Sequence, residues 1–300
     1  MKLFSEGNAH WYGPDGAPMH TVLSAKGDPK ATTLREARKL GLLPSVTNVL
    51  GIVHRQQLVD WKMSQAVLAA LTLPRRDGEA VDEFVKRVVE DAERQGKDAA
   101  AFGTALHRGV ERVVVSLEVD QADPVAPWLN HFRDWFQANC VRLVWSERVL
   151  VNLALGYAGT ADLLMEHKAH GLTLVDLKSQ HIKGKSGPAT YRSWGYQLAA
   201  YRAAVGEKVV CMNLIMNSKE PHPPVEAPWS EEQMEMNWRG FQAARQLWVI
   251  EKNYDPCADG PCGAVTVPAG GAPGGPTRPV GGKSEVRSPK SEGEGQALVA

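Results

Sequence analysis

The stretch Gly159-Thr160-Ala161-Asp162-Leu163-Leu164-Met165, followed by Leu172-Thr173-Leu174-Val175-Asp176-Leu177-Lys178, decides how this chain is read. Short apolar and β-branched runs punctuated by Gly156, Gly159 and Gly171 predict consecutive strands over Ala161 to Met165 and Leu172 to Lys178. Side chains alternate along a strand, so Asp176 and Lys178 share one side while Leu177 turns to the core and still offers its backbone carbonyl. Placing Asp162 at the end of the preceding strand brings a second carboxylate alongside. The result is a set of hard oxygen ligands of the kind Mg²⁺ or Mn²⁺ prefers. Asp-x-Lys alone says little, because a chain of this length should hold about one such triplet by chance. An exposed strand with a surface ion pair would read the same way.

Working back from these strands, Val141 to Trp145 and Val149 to Leu153 predict two more, with Glu147 in the turn between them. Ahead of them the period becomes helical. Leu58, Trp61, Val67, Leu68 and Leu71 mark one amphipathic helix, and Val81, Phe84, Val85, Val88, Val89 and Ala92 a second. A third spans Ala99 to Leu117, and a fourth carries Trp128, Leu129, Phe132, Trp135 and Phe136 on one face. Tryptophans 128, 135, 238 and 248 read as core. Working forward, a helix from about Tyr191 to Ala204 precedes a strand from Val209 to Met216. Ser230-Glu231-Glu232-Gln233 then has the form of a capping box opening a last helix. The order predicts an α/β fold with one mixed central sheet flanked by helices and a helical N-terminal part.

The ends differ from this middle. Residues 1–45 mix aromatic residues with turn signals such as Gly13-Pro14-Asp15-Gly16, which predicts a hairpin or an arm laid on the body. From Cys257 to Ala300, 16 of 44 residues are Gly or Pro, which predicts a disordered, flexible tail. The folded domain therefore runs over residues 46–256. Lys plus Arg and Asp plus Glu number 34 each, so no global field draws the chain to nucleic acid, and such affinity must come from local clusters. No apolar stretch approaches the roughly 18 residues of a membrane span, which with the polar N-terminus predicts a cytoplasmic protein with no membrane association. Four scattered cysteines predict reduced thiols rather than structural zinc.

Other residues fall at helical spacing around the two strands. His107 and Glu111 are four apart on the third helix, and Gln197 and Tyr201 are four apart on the helix after Lys178. In order, Gly103-Thr104-Ala105-Leu106-His107 with Glu111, Gly159-Thr160-Ala161-Asp162, Asp176-Leu177-Lys178 and Gln197-Leu198-Ala199-Ala200-Tyr201 resemble the PD-(D/E)XK nuclease superfamily, and within it the RecB-type branch that includes phage-type exonucleases. Ala161 stands where the family's name has proline.

The resemblance implies a restriction-endonuclease-like core and a Mg²⁺- or Mn²⁺-dependent deoxyribonuclease. His107, Asp162, Asp176 and the Leu177 carbonyl would hold metal, and Lys178 would stand beside the attacked phosphate. There Lys178 would stabilise charge as an ammonium or accept a proton. Gln197 and Tyr201 would brace the site or contact the DNA backbone. Glu111 and Glu147 could serve a second metal position. Cys140 lies inside the domain and only Cys257 and Cys262 follow it, so no iron–sulfur cluster is expected. The basic segment with Lys183, Lys185 and Arg192 could track DNA phosphates, and Trp194 could stack on a base. An exonuclease acting on DNA ends in viral recombination or degradation, with a recombination protein as partner, is the leading expectation. A structure-specific endonuclease and a non-catalytic DNA-binding or assembly protein are the alternatives. Oligomeric state is not legible.

Overall fold

A computed structural model describes residues 10–53, 56–182 and 187–258, and of residues 56–58 the backbone alone. In chain order the elements are β1 (Trp11–Tyr12), β2 (Thr21–Leu23), β3 (Pro29–Ala31), α1 (Leu34–Leu40), β4 (Leu43–Pro44) and α2 (Val46–Val49) with a 3-10 turn at Leu50–Ile52. There follow α3 (Gln56–Thr72), α4 (Val81–Ser116), α5 (Ala126–Asn139), β5 (Cys140–Asn152), β6 (Tyr157–His167) and β7 (Gly171–Gln180). Last come α6 (Arg192–Val205), β8 (Val210–Asn217), β9 (Val225–Pro228) and α7 (Glu231–Lys252). Among these, no helix is long and apolar enough to cross a membrane.

The central sheet has the order β5-β6-β7-β8-β9. Its pairs are antiparallel except β7 with β8, which are parallel because α6 carries the chain back over the sheet between them. Helices cover both sides, so alternate residues of the inner strands serve two cores. Leu163, Met165, Val175, Leu177, Met212 and Leu214 pack with α4 and α5 around Phe132 and Leu129. Leu164, Leu174 and Cys211 pack on the other side with α6 and α7, around Leu198, Phe241 and Trp248. This is the mixed α/β architecture the periodicities predict.

Three expectations are corrected. The predicted helices over Val81 to Ala92 and Ala99 to Leu117 are one, α4, because the intervening Glu-Arg-Gln-Gly-Lys-Asp run holds no proline and its lone glycine, Gly96, is tolerated inside a helix. Val141 to Trp145 and Val149 to Leu153 are likewise one strand, β5, so Glu147 lies within a strand rather than in a turn. The bend that breaks its sequence pattern is real but local: β5 slips register twice along its first half, and Glu147 itself has φ 45. Asp162 sits in the middle of β6 rather than at its end.

The segment from Trp11 to Pro44 packs onto the main core. β1 pairs with β4, β2 and β3 form a small hairpin, and Trp11 buries beside Trp248 and Tyr254. The capping box at Ser230 is present, as its spacing predicts. Helix α3 forms where expected, yet Val67, Leu68 and Leu71 are exposed, so its apolar residues are not a buried stripe. The predicted tail from residue 259 onward, with Cys262, lies outside the described residues.

Candidate active site

The site lies at a fork in the sheet. The β6–β7 ladder runs from His167 opposite Gly171 only as far as Leu163 opposite Val175. β6 nevertheless continues its pairing with β5, and β7 continues with β8 to Gln180 opposite Asn217. Where the two strands part, a backbone donor of β7 needs a new partner, and the Asp162 carboxylate supplies it: the N–H of Leu177 donates to Oδ2 of Asp162 at 2.7 Å. The same aspartate faces α4, where Nδ1 of His107 lies 3.4 Å from its Oδ1. Glu147 comes in from β5, between residues that pair with Leu163 and Ala161 on either side of Asp162. His107, Glu147 and Asp162 can each offer a ligand atom, and those atoms lie within 4.8 Å of one another.

On β7, Asp176 and Lys178 share a side as alternation requires. Nζ of Lys178 lies 2.6 Å from Oδ2 of Asp176 and donates to Oε1 of Gln197 at 3.1 Å. Gln197 in turn donates to the hydroxyl of Tyr201 at 3.3 Å, one helical turn further along α6. Tyr201 is only 4% exposed, a place for bracing rather than for contact with a DNA backbone. Its ring explains Gly159: a Cβ there would come within 2.9 Å of the tyrosine. Trp194 is half-buried with its ring centre 5.8 Å from the lysine ammonium, and Arg192 is exposed at the start of α6. Lys183 and Lys185 lie outside the described residues. Glu111 is exposed on the rim of a cleft of about 330 Å³, whose walls include Gly103, Thr104, His107, Arg108 and Glu147.

Crowding of like charge marks this place. Burial first, then the charge of Asp162, pushes Glu147 up to about 7. Burial also lifts Asp176 to about 6 although the Lys178 ammonium pulls the other way. Asp162 is held below its ordinary value: burial opposes ionisation, but the His107 hydrogen bond and charge, Lys178 and the Leu177 amide outweigh it. Burial similarly works against the His107 imidazolium, while Asp162 and Asp176 bring its value above the ordinary one. A concave group of carboxylates that raise one another's cost of ionisation, with an imidazole beside them, is a donor set suited to a divalent cation, so the residues present fit one.

Two residues of this site escape a reading by spacing. Asn213 on β8 stands opposite Asp176 in the ladder and donates to its Oδ2 at 2.7 Å, and the indole of Trp229 donates to Oδ1 of Asn213 at 2.8 Å. The available signal was one asparagine in the apolar run Val209 to Met216, since a polar side chain on a strand buried on both faces needs a partner.

A second cluster of the same residue types sits elsewhere on the sheet: His167, His170 and Glu226. There the amide of Ala169 donates to Nδ1 of His167 at 3.1 Å, so the ring proton lies on Nε2, 3.2 Å from Oε1 of Glu226. Trp135 donates to the same oxygen at 2.8 Å. A cation on Nε2 would need that nitrogen's lone pair and a proton on Nδ1, where the Ala169 N–H already points. This cluster is a hydrogen-bonded clamp.

A family model described as the PD-(D/E)XK nuclease superfamily matches residues 57–214, just over half of the chain. Among solved structures, the chain is similar to one from Eubacterium rectale provisionally named an exonuclease. The identity is 10% and the TM-score 0.32, with 63% of this chain and 68% of that one covered. It is also similar to the structure of SSO0001, with 12% identity and a TM-score of 0.27, over 67% of this chain and 94% of that one. No curated protein matches it.

Proposed function

The chain belongs to the PD-(D/E)XK nuclease superfamily, and on that premise we propose that it is a metal-dependent deoxyribonuclease that digests DNA from an end. The observation that carries the reading is the meeting of His107, Glu147 and Asp162 from three elements beside the Asp176–Lys178 pair, where β6 and β7 part. The exonuclease choice rests on the order of the four motifs from Gly103 to Tyr201, which resembles the RecB-type branch. We take residues 46–256 as the nuclease domain, 1–45 as an arm upon it and 257–300 as a tail.

Hydrolysis of a phosphodiester brings a nucleophile to an already negative phosphate and expels a poor leaving oxygen. Asp162 and Asp176, with His107, the Leu177 carbonyl and Glu147, would hold a Mg²⁺ or Mn²⁺ ion, which would supply the positive charge this needs. The protein's own residues do the rest. Lys178 faces two acceptors, Asp176 and Gln197, and so presents its N–H donors; a phosphate oxygen beside it would be stabilised as charge builds. Gln197 limits where that ammonium can go, and Tyr201 fixes Gln197 from below. Burial and the charge of Asp176 keep the Tyr201 phenol far from ionising, so it acts as a strut and not as an acid. Arg192, Lys183 and Lys185 are assigned to DNA phosphates, and Glu111 to a second metal position.

The test is release of acid-soluble nucleotides from linear and covalently closed circular DNA, with Mg²⁺, Mn²⁺ or EDTA. Metal-dependent loss of the linear form alone, abolished in Lys178→Ala with DNA binding kept, is the expected result. Cutting of the circle would make the protein an endonuclease, and full cleavage by the variant would overturn the role of Lys178.

A further inference from the structure

Asp176 is 2% exposed, and a carboxylate so buried is tolerated only when donors meet its charge. It has two, Lys178 at 2.6 Å and Asn213 at 2.7 Å, and both are on Oδ2. Oδ1 takes no hydrogen bond among the described residues. Asn213 is itself fully buried, and an amide can present either its oxygen or its nitrogen to a neighbour. Here the choice is forced. The Trp229 indole can only donate, and it sits 2.8 Å from the amide oxygen, so the amide nitrogen must face Asp176. Trp229 is in turn fixed by its own backbone, whose N–H donates to the carbonyl of Cys211 across the β8–β9 edge.

Resting on the metal-site reading above, we propose that Asn213, oriented by Trp229, is a positioning residue that holds Asp176 by Oδ2 and leaves Oδ1 to the divalent cation, thereby setting the affinity of the site. The relay works in one direction, from indole to amide to carboxylate, so losing either donor weakens the hold on the Asp176 side chain and leaves Lys178 as its remaining partner.

The test is calorimetric titration of Mn²⁺ into the full chain, with thermal unfolding in EDTA measured in parallel, for wild type, Asn213→Ala, Trp229→Phe and Asn237→Ala. Asn237 is similarly buried but lies on α7. Asn213→Ala should weaken Mn²⁺ binding by about 10–100-fold, the usual effect of removing a group that orients a metal ligand. Trp229→Phe, which keeps a ring in place, should weaken it by a smaller factor, and Asn237→Ala should leave it unchanged. An unchanged affinity in Trp229→Phe overturns the proposal, and this variant carries the test if Asn213→Ala does not fold. An equal loss in Asn237→Ala also overturns it, since general loosening would then suffice. A wild type that binds no Mn²⁺ removes the metal-site reading and this inference together, whereas normal binding unaffected by the two relay variants removes the inference alone.

Discussion

The molecule holds two clusters of histidine and carboxylate, on one sheet, and they are built to opposite ends. Around Glu226 the donors are all supplied by the protein: although burial opposes it, the bonds from Trp135 and His167 and the neighbouring imidazoles hold the carboxyl below its ordinary value. Around Glu147 burial first, then the charges of Asp162 and Glu111, push the carboxyl up to about 7 against the pull of His107. The first cluster is electrostatically satisfied by hydrogen bonds and stabilises the fold. In the second, folding makes Glu147 and Asp176 harder to ionise, and a cation there would offset that. The same residue types thus serve structure or chemistry according to whether donors or acceptors surround them.

The sharpest way to break this comparison is to remove one acid from each cluster. Asp162→Ala should lower DNA cleavage by about 10²–10³-fold or more, the scale on which losing one electrostatic element of an active site acts. Glu226→Ala should leave the rate per folded molecule unchanged; an equal loss in both, measured as nucleotide release, would mean that the clusters are not distinct in role.

A smaller effect is expected from the packing behind Lys178 and Gln197. Gly159→Ala places a methyl group 2.9 Å from the Tyr201 ring, and overpacking of this kind costs about 1–3 kcal/mol. Because Tyr201 supports Gln197 and Gln197 supports Lys178, the variant should lose cleavage as well as stability. Stability lost with cleavage intact, read by thermal unfolding and nucleotide release, would uncouple the strut from Lys178.

The smallest effects have opposite signs. A carboxyl whose value is raised by folding favours the fold at low pH and loses that contribution as pH rises through the folded value, so Glu147 opposes folding above about 7 in metal-free protein. A carboxyl whose value is lowered contributes above its unfolded value and loses that contribution as pH falls, which describes Glu226. In EDTA at pH 8, Glu147→Gln should therefore raise the unfolding temperature and Glu226→Gln lower it. The Glu226→Gln difference should fade as pH falls below the ordinary carboxylate range. Shifts of the same sign would contradict the contrast between the clusters.

Much of this was legible from residue order alone. Periodicity of two against periodicity near 3.6 separates the strands after Cys140 from the helices before it, because each backbone geometry repeats its side chains at its own interval. The same rule places Asp176 and Lys178 together, and Gln197 above Tyr201, since those pairs lie within one element. Tertiary structure alone decided what meets across elements. It set Glu147 in a continuous strand beside Asp162, joined two predicted helices into α4, and buried Trp11 against Trp248 from the far end of the chain. It also set Asn213 against Asp176 and Trp229 against Asn213, made one His–carboxylate cluster a hydrogen-bonded clamp and gathered the other into a group that could hold a cation. Local spacing carries no information about register between strands or about which way an amide or imidazole faces. Those are settled when buried donors and acceptors must each find a partner in a closed interior.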